Sequence, residues 1–405
     1  MKYIIIGAGA SGIACAINLK RKGKDVTLIE KNDKLGKKLL LTGNGRCNYF
    51  NSDFNHLKYV TKDYDNLKQI INEDNKNKLL NFFDYIGIKP KIVDSYYYPY
   101  SNKSESFLFC LLSTLKELNV DIKYDYNVTK IEKDKKTNKF KIYSDSSFLE
   151  CDKLVLSTGS LSYPKTGSTG DGFRFLKDLG FDSLNITPAL TSLNTNDKIL
   201  TLEKIRTPIE ASLYIDDKLI HEEKGELQIN KDNISGICIL NLSNYYVLNG
   251  MKKNSYILIN FLSLLGVTKE NYNKFFTDLA NCTVKKTIKD ILDGILNYKL
   301  TNYILKKSNI SLDKNYFDLS DQEFKTLKNN LISYKIIITG VGDIEKAQTT
   351  YGGVHLCDIN TYNMELKKIS NLYLTGELLE PSGICGGYNL AFSFITGLLV
   401  GEEND

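Results

Sequence analysis

Residues 2–12 read K-Y-I-I-I-G-A-G-A-S-G. A short apolar run leads straight into Gly7, Gly9 and Gly12 in G-x-G-x-x-G spacing. Ile13, Ala16, Ile17 and Lys20 then follow at helical spacing. Residues 25–30, D-V-T-L-I-E, read as a second strand ending in Glu30, eighteen residues past Gly12. Strand, glycine turn, helix, strand and terminal acid in this order predict a βαβ dinucleotide site. Each position has a physical reason. Gly7 permits the tight turn, Gly9 lets the backbone approach a pyrophosphate, and Gly12 lets the helix pack on the strand. The helix start offers free N–H groups and partial positive charge to the phosphates. Glu30 can accept hydrogen bonds from ribose hydroxyls.

The rest of the composition narrows the class. At ~150 residues per domain, 405 residues predict two or three domains. Apolar residues at 42% and charged residues at 25% exclude a mainly disordered chain. No apolar run approaches the ~18 to 20 residues of a membrane helix. The first apolar stretch, Tyr3 to Ile6, is too short for a secretory leader, so a cytoplasmic protein without membrane contact is expected. Eight cysteines form no C-x-x-C pair, and His56, His221 and His355 lie far apart, so no metal site is expected. Reduced, buried thiols are the expectation. The net charge of +5 says little by itself.

Four further stretches are more specific. Residues 35–51 read L-G-K-K-L-L-L-T-G-N-G-R-C-N-Y-F-N, and residues 154–172 read L-V-L-S-T-G-S-L-S-Y-P-K-T-G-S-T-G-D-G. Toward the other end, residues 347–353 read A-Q-T-T-Y-G-G, and residues 372–397 read L-Y-L-T-G-E-L-L-E-P-S-G-I-C-G-G-Y-N-L-A-F-S-F-I-T-G. Together they resemble the BaiN-like, or aminoacetone-oxidase-like, FAD-dependent oxidoreductases of the two-dinucleotide-binding flavoprotein class. The resemblance implies an α/β fold: a discontinuous Rossmann-like FAD-binding domain carrying an inserted β-rich subdomain and a small helical subdomain. It implies extended FAD, with its adenine end at the first βαβ unit and NAD(P)H as a transient electron donor. Val128 is implied beside the adenine, and Thr158 and Gly159 at the pyrophosphate. Gly376 and Glu377 match the second flavin motif, and Gly386, Gly387, Tyr388 and Asn389 the loop opening the last helix beside the flavin ring. Ala10, Ser11, Lys31, Lys38, Gly43, Arg46 and Cys47 complete the expected cofactor set with Gly7, Gly9, Gly12 and Glu30. Gly386 and Gly387 are expected to give the backbone close approach to the flat ring.

The pattern changes between about Leu190 and Ser333. Residues 1–189 and 334–405 are expected to form the FAD domain, 190–265 a β-rich subdomain and 266–333 a helical one. The active site is expected between them. Helices are expected over 269–279, 284–297 and 321–330, and the strand 334–339 is expected to return the chain to the FAD domain. Residues 251–307 hold ten lysines and four acids, a local +6 that leaves the rest of the chain near −1. Such a surface can meet RNA phosphates or can be a solvated lysine face.

Related disulfide reductases carry a redox pair where this chain has Cys47 alone, so electron flow to a disulfide is disfavoured. A lone thiol can instead donate a proton, and Arg46 beside it favours acidity; pocket lining is the plainer role. His355 and Tyr388 are weaker proton-donor candidates. The resemblance implies reduction of a C=C conjugated to a carbonyl, in an enone-type small molecule or a uracil base. Hydride would go to the β-carbon and a proton to the α-carbon, with a donor on the carbonyl. The alternatives are an rRNA-modifying dihydrouridine-forming enzyme that binds RNA through 251–307, and an FAD-dependent amine oxidase. Oligomeric state is not readable from the sequence.

Overall fold

Ile4 to Ile6 and Leu154 to Leu156 are buried apolar runs, the signature of strands covered on both faces. In the computed structural model they pair in parallel, Ile5 opposite Val155, and Lys2–Ile6 pairs on its other side with Asp25–Ile29. The full sheet runs Ile359–Asn360, Glu365–Leu366, Leu372–Leu374, Lys153–Leu156, Lys2–Ile6, Asp25–Ile29, Asp121–Lys123. Its five strands from Leu372–Leu374 onward are parallel, and the two edge strands before them are antiparallel. The structure describes residues 1–145, 147–183, 185–282 and 287–402.

The chain divides into two units. One comprises Met1–Ala189 and Ile344–Asp405, the other Leu190–Asp343. In the first, helix Ala10–Arg21 buries Ile13, Ala14 and Ile17, and the C-terminal helix Tyr388–Leu399 is buried over most of its length. A small antiparallel sheet joins Phe50–Asn51, Tyr96–Pro99 and Pro90–Val93. The parallel strands end at one edge of the sheet, in Gly7, Glu30, Ser157 and Thr375. Ligands of open α/β sheets bind at such carboxyl ends.

The second unit is an antiparallel sheet of order Tyr334–Ile337, Ser255–Asn260, Arg206–Ile215, Lys218–Ile229, Asn233–Ser235, Leu193–Asn194, Gly340–Val341. Helices Ile237–Leu248, Tyr272–Cys282, Ile288–Asp293, Tyr298–Lys307 and Asp321–Ile332 accompany it. Three expectations change here. The helices share one apolar core with the sheet, Phe276 and Ile304 with Leu213 and Ile257, so they form no separate subdomain. Tyr334–Ile337 does not return to the first unit. It pairs with Ser255–Asn260, with Tyr334 and Ile336 buried inward, and the chain re-enters the first unit only at Ile344. The helix expected over 284–297 covers only Ile288–Asp293 among the described residues, because Gly294 ends it. Ser320 and Glu323 do form a reciprocal capping box at the start of Asp321–Ile332.

Candidate functional site

The carboxyl edge of the parallel sheet opens into a cleft of about 1190 Å³, counted to its open mouth. The glycine turn forms one wall. Gly7 has φ +100°, and a Cβ there would stand 2.4 Å from the Ser157 carbonyl oxygen. A Cβ on Gly12 would stand 1.9 Å from the Gly7 carbonyl oxygen, so this position must be bare for the helix to meet its turn. Gly9 is different. It lines the cleft, and a Cβ there would meet nothing within 4 Å. The missing side chain therefore leaves room for a ligand rather than for protein. Ala10 and Ser11 open the helix beside it, also on the cleft. Such a helix start presents unpaired N–H groups and favours anions.

Glu30 is buried and braces the turn. Its Oε2 accepts from the Ala8 N–H at 3.0 Å, and its Oε1 accepts from the Asn32 N–H at 2.9 Å and the Asn32 Nδ2 at 2.7 Å. A carboxylate has about four acceptor positions, so one stays available to a ribose hydroxyl. Asn32 Nδ2 also donates to the Thr166 carbonyl at 3.2 Å. Lys31 Nζ donates to Thr169 Oγ1 at 2.6 Å and Asp171 Oδ2 at 2.7 Å. These bonds tie residues 166–171 to the end of the second strand. Val128, Tyr126 and Asn127 complete this end of the cleft.

Farther along the wall, Lys38 Nζ donates to Glu377 Oε2 at 2.6 Å and to Ser162 Oγ at 2.5 Å. Glu377 Oε1 accepts from Thr349 Oγ1 at 2.9 Å. Thr158, Gly159, Gln348, Asn389, Leu390 and Ser393 stand nearby on the lining. Asn389 is fixed by an exchange with Gly383: the Gly383 N–H donates to Asn389 Oδ1 and Asn389 Nδ2 donates to the Gly383 carbonyl, both at 2.8 Å.

The cleft thus gathers Gly7, Gly9, Ala10, Ser11, Glu30, Lys31, Lys38, Val128, Thr158, Gly159, Glu377 and Asn389. It does not take in Gly12, Gly43, Arg46, Cys47, Gly376, Gly386, Gly387 or Tyr388. The close approach at Gly387 is to protein: a Cβ there would stand 2.9 Å from Asn48 Oδ1 and from the Phe50 nitrogen. Gly386 faces the rings of Tyr96 and Tyr388. These glycines let the last helix start against strand Phe50–Asn51. Tyr388 is buried, burial drives its hydroxyl far above the ordinary tyrosine value, and its carbonyl accepts from Tyr59 Oη at 3.0 Å. Asn32, Thr166, Gln348 and Ser393 were missed by sequence reasoning, and no short motif marks them.

Cys47 sits in a loop in which Gly43, Asn44, Gly45 and Cys47 all have positive φ. Its N–H donates to the Thr42 carbonyl at 3.0 Å. The side chain is fully buried, and desolvation, partly offset by the Thr42 hydroxyl, pushes the thiol up to about 12. It therefore stays a neutral thiol at ordinary pH. Neighbouring Arg46 does not acidify it: the guanidinium turns to solvent, over the Tyr98 ring at 5.0 Å. His355 is half-buried. No cluster of three or more His, Cys, Asp or Glu side chains suited to a metal occurs among the described residues, nor any helix long and apolar enough to cross a membrane.

An open glycine wall, a helix start facing it and an acid below it fit an extended dinucleotide such as FAD. The comparisons agree with that chemistry. A family model described as the HI0933-like protein Rossmann domain matches residues 1–403. The chain is 30% identical over 404 residues to a 3-dehydro-bile acid Δ(4,6)-reductase of Clostridium scindens, covering 98% of this chain and 97% of that protein. It is 26% identical over 409 residues to a ribosomal RNA dihydrouridine synthase of Haemophilus influenzae, covering 96% and 95%. Among solved structures, the fold is shared with a 3-ketosteroid Δ4-(5α)-dehydrogenase from Rhodococcus jostii, at 13% identity and a TM-score of 0.52, covering 99% of this chain and 95% of that one.

Proposed function

The chain belongs to the HI0933-like family of Rossmann-domain, FAD-dependent oxidoreductases, and from that premise we propose that it uses FAD and NAD(P)H to reduce a C=C bond conjugated to a carbonyl. The observation that carries the reading is the cleft wall that Gly9 leaves empty beside an open helix start. Gly9, Ala10 and Ser11 would hold the pyrophosphate, Glu30 a ribose hydroxyl, and Val128 the adenine. Lys38 stands on the same wall, and Glu377 orients it. When bound and reduced, FAD supplies the hydride. The chain's own residues would seat the phosphate end of the cofactor against the sheet edge. Cys47 supports the 42–47 loop by packing; its sealed, neutral thiol makes a poor proton donor.

Full-length similarity to a bile-acid Δ(4,6)-reductase supports a ring enone as the substrate type. Similarity to rRNA dihydrouridine synthases supports a second reading, a uracil base, whose C5=C6 bond is likewise conjugated to a carbonyl. Anaerobic mixing of the FAD-loaded protein with NADH or NADPH tests the proposal. Flavin absorbance should bleach with one of them and return when a steroid enone or a uridine oligonucleotide is added. No bleaching by either donor, or peroxide release with small amines and no enone turnover, would refute it.

A further inference from the structure

Thr166, Gly167 and Ser168 line the cleft together with Glu30, Asn32, Tyr126 and Val128. They belong to a turn, residues 163–170, that is braced from within. The Thr166 N–H donates to the Tyr163 carbonyl and the Gly167 N–H to the Pro164 carbonyl, both at 2.9 Å, and the Gly170 N–H reaches the Ser160 carbonyl at 3.1 Å. Thr166 Oγ1 donates to the Tyr163 carbonyl at 2.7 Å, and Ser168 Oγ to the Ser160 carbonyl at 3.0 Å. Among the described residues, no backbone-to-backbone hydrogen bond joins 161–169 to a segment outside 160–170. Tyr163, at φ +53°, and Gly170, at φ +80°, stand in the left-handed region at the two ends. A turn that is stiff inside and shares no ladder with its neighbours can swing as one body about such ends.

Side chains hold its tip instead. Asn32 Nδ2 donates to the Thr166 carbonyl at 3.2 Å, and Lys31 Nζ donates to Thr169 Oγ1 at 2.6 Å and to Asp171 Oδ2, just past the turn, at 2.7 Å. The approach is close: a Cβ on Gly167 would stand 2.5 Å from Asn32 Nδ2 and 3.3 Å from Lys31 Cε. The same Asn32 amide donates to Glu30 Oε1 at 2.7 Å, so the tip is tied to the acid at this end of the cleft. The Lys31 and Asp171 side chains remain 27% and 30% exposed. An ion pair that water reaches is weak enough to break and re-form.

We propose that the 163–170 turn is a gate on the cofactor cleft, latched by Asn32 and Lys31, and that its opening sets the rate at which FAD enters and leaves. This rests on the FAD reading of the cleft and adds how access to that site is controlled. A gate and a cofactor contact leave different kinetic marks. The latch bonds join protein to protein, so they close the gate in the empty and in the loaded chain alike. Losing one raises the open population of both forms by the same factor. Uptake and release then speed up together, and Kd stays where it was. Losing a contact to the cofactor itself speeds release alone and raises Kd.

The test is stopped-flow flavin fluorescence on the full chain, with FAD uptake by cofactor-free protein and FAD release on dilution of loaded protein. Asn32→Ala removes one latch, and Thr169→Val removes the other without touching the cleft lining. Gly167→Ala pushes the Asn32 amide aside and is strained at φ +103°. Each should speed uptake and release alike by about 2- to 10-fold, the worth of one net hydrogen bond, with Kd held within about twofold. Gly9→Ala, in the cleft wall, should speed release without speeding uptake. A second readout needs no cofactor: tryptic nicking after Lys165, at the exposed tip, should quicken in the three gate variants while cleavage elsewhere stays unchanged. Unaltered uptake and release in Asn32→Ala and Thr169→Val overturn the gate. Faster release with unaltered uptake also overturns it and makes those residues cofactor contacts. A chain that takes up no FAD removes the FAD reading, and nicking at Lys165 then decides the gate: faster in both latch variants keeps it, equal to the unchanged chain removes it.

Discussion

The glycine turn offers a sharp experiment because two of its glycines are bare for opposite reasons. Alanine at Gly9 adds a methyl group where nothing lies within 4 Å, at an unstrained φ of −81°. The cofactor-free fold should accept it with a stability change within about 1 kcal/mol. Alanine at Gly12 places the same methyl group 1.9 Å from the Gly7 carbonyl oxygen. Helix and turn must move apart, which costs about 3 kcal/mol in a packed core. For FAD the order changes. The Gly9 methyl occupies the approach to the pyrophosphate and costs one or two charge-assisted hydrogen bonds, each worth about 1.5–3 kcal/mol. A loss of about 3 kcal/mol is roughly two orders of magnitude in Kd. Calorimetry of the cofactor-free protein gives the first quantity, and titration of flavin fluorescence gives the second. Gly9→Ala should melt like the unchanged chain yet bind FAD about 100-fold more weakly, whereas Gly12→Ala should melt early even without cofactor. Normal FAD affinity in Gly9→Ala would refute the placement of the phosphates.

Burial and pairing of side chains set three more expectations. With its thiol pushed up to about 12, Cys47 should give no ionisation in the rate profile between about pH 6 and 10, and Cys47→Ala should keep turnover; a tenfold loss of kcat at unchanged flavin content would restore it as a proton donor. Glu380 is fully buried and accepts from Thr61 Oγ1 at 2.7 Å and Tyr351 Oη at 2.9 Å. Glu380→Ala strands both hydroxyls and should lower unfolding free energy by about 2–5 kcal/mol in urea melts, whereas Glu380→Gln should recover part of that loss. Glu323 is held down to about 2, first by the Lys314 ammonium and then by the Ser320 cap. Its folded value lies below its unfolded one, so its stabilisation is complete above about pH 4.5 and is lost as pH falls toward 2. In Lys314→Ala, an NMR titration should show Glu323 moving back up toward the ordinary carboxylate range.

Local chemistry made the nucleotide-binding turn legible in the sequence. Gly7, Gly9, Gly12 and Glu30 lie within one βαβ unit, where spacing along the chain nearly dictates spacing in space. The strand ends at Thr158–Gly159 and Gly376–Glu377 were marked instead by the resemblance to the family. Contacts between distant segments were not legible. Gly386 and Gly387 look like a ring-binding loop, yet they pack against Phe50 and Tyr96, which come from the first hundred residues of the chain. The strand Tyr334–Ile337 alternates like any edge strand, and only its pairing with Ser255–Asn260 decides which sheet owns it. The sealing of Cys47 and the Lys38–Glu377 pair likewise arise from residues that meet only when the sheets are assembled. Sequence spacing governs what a few neighbouring residues can do, while burial and charge pairing belong to the folded chain, because both depend on which remote segment displaces the water.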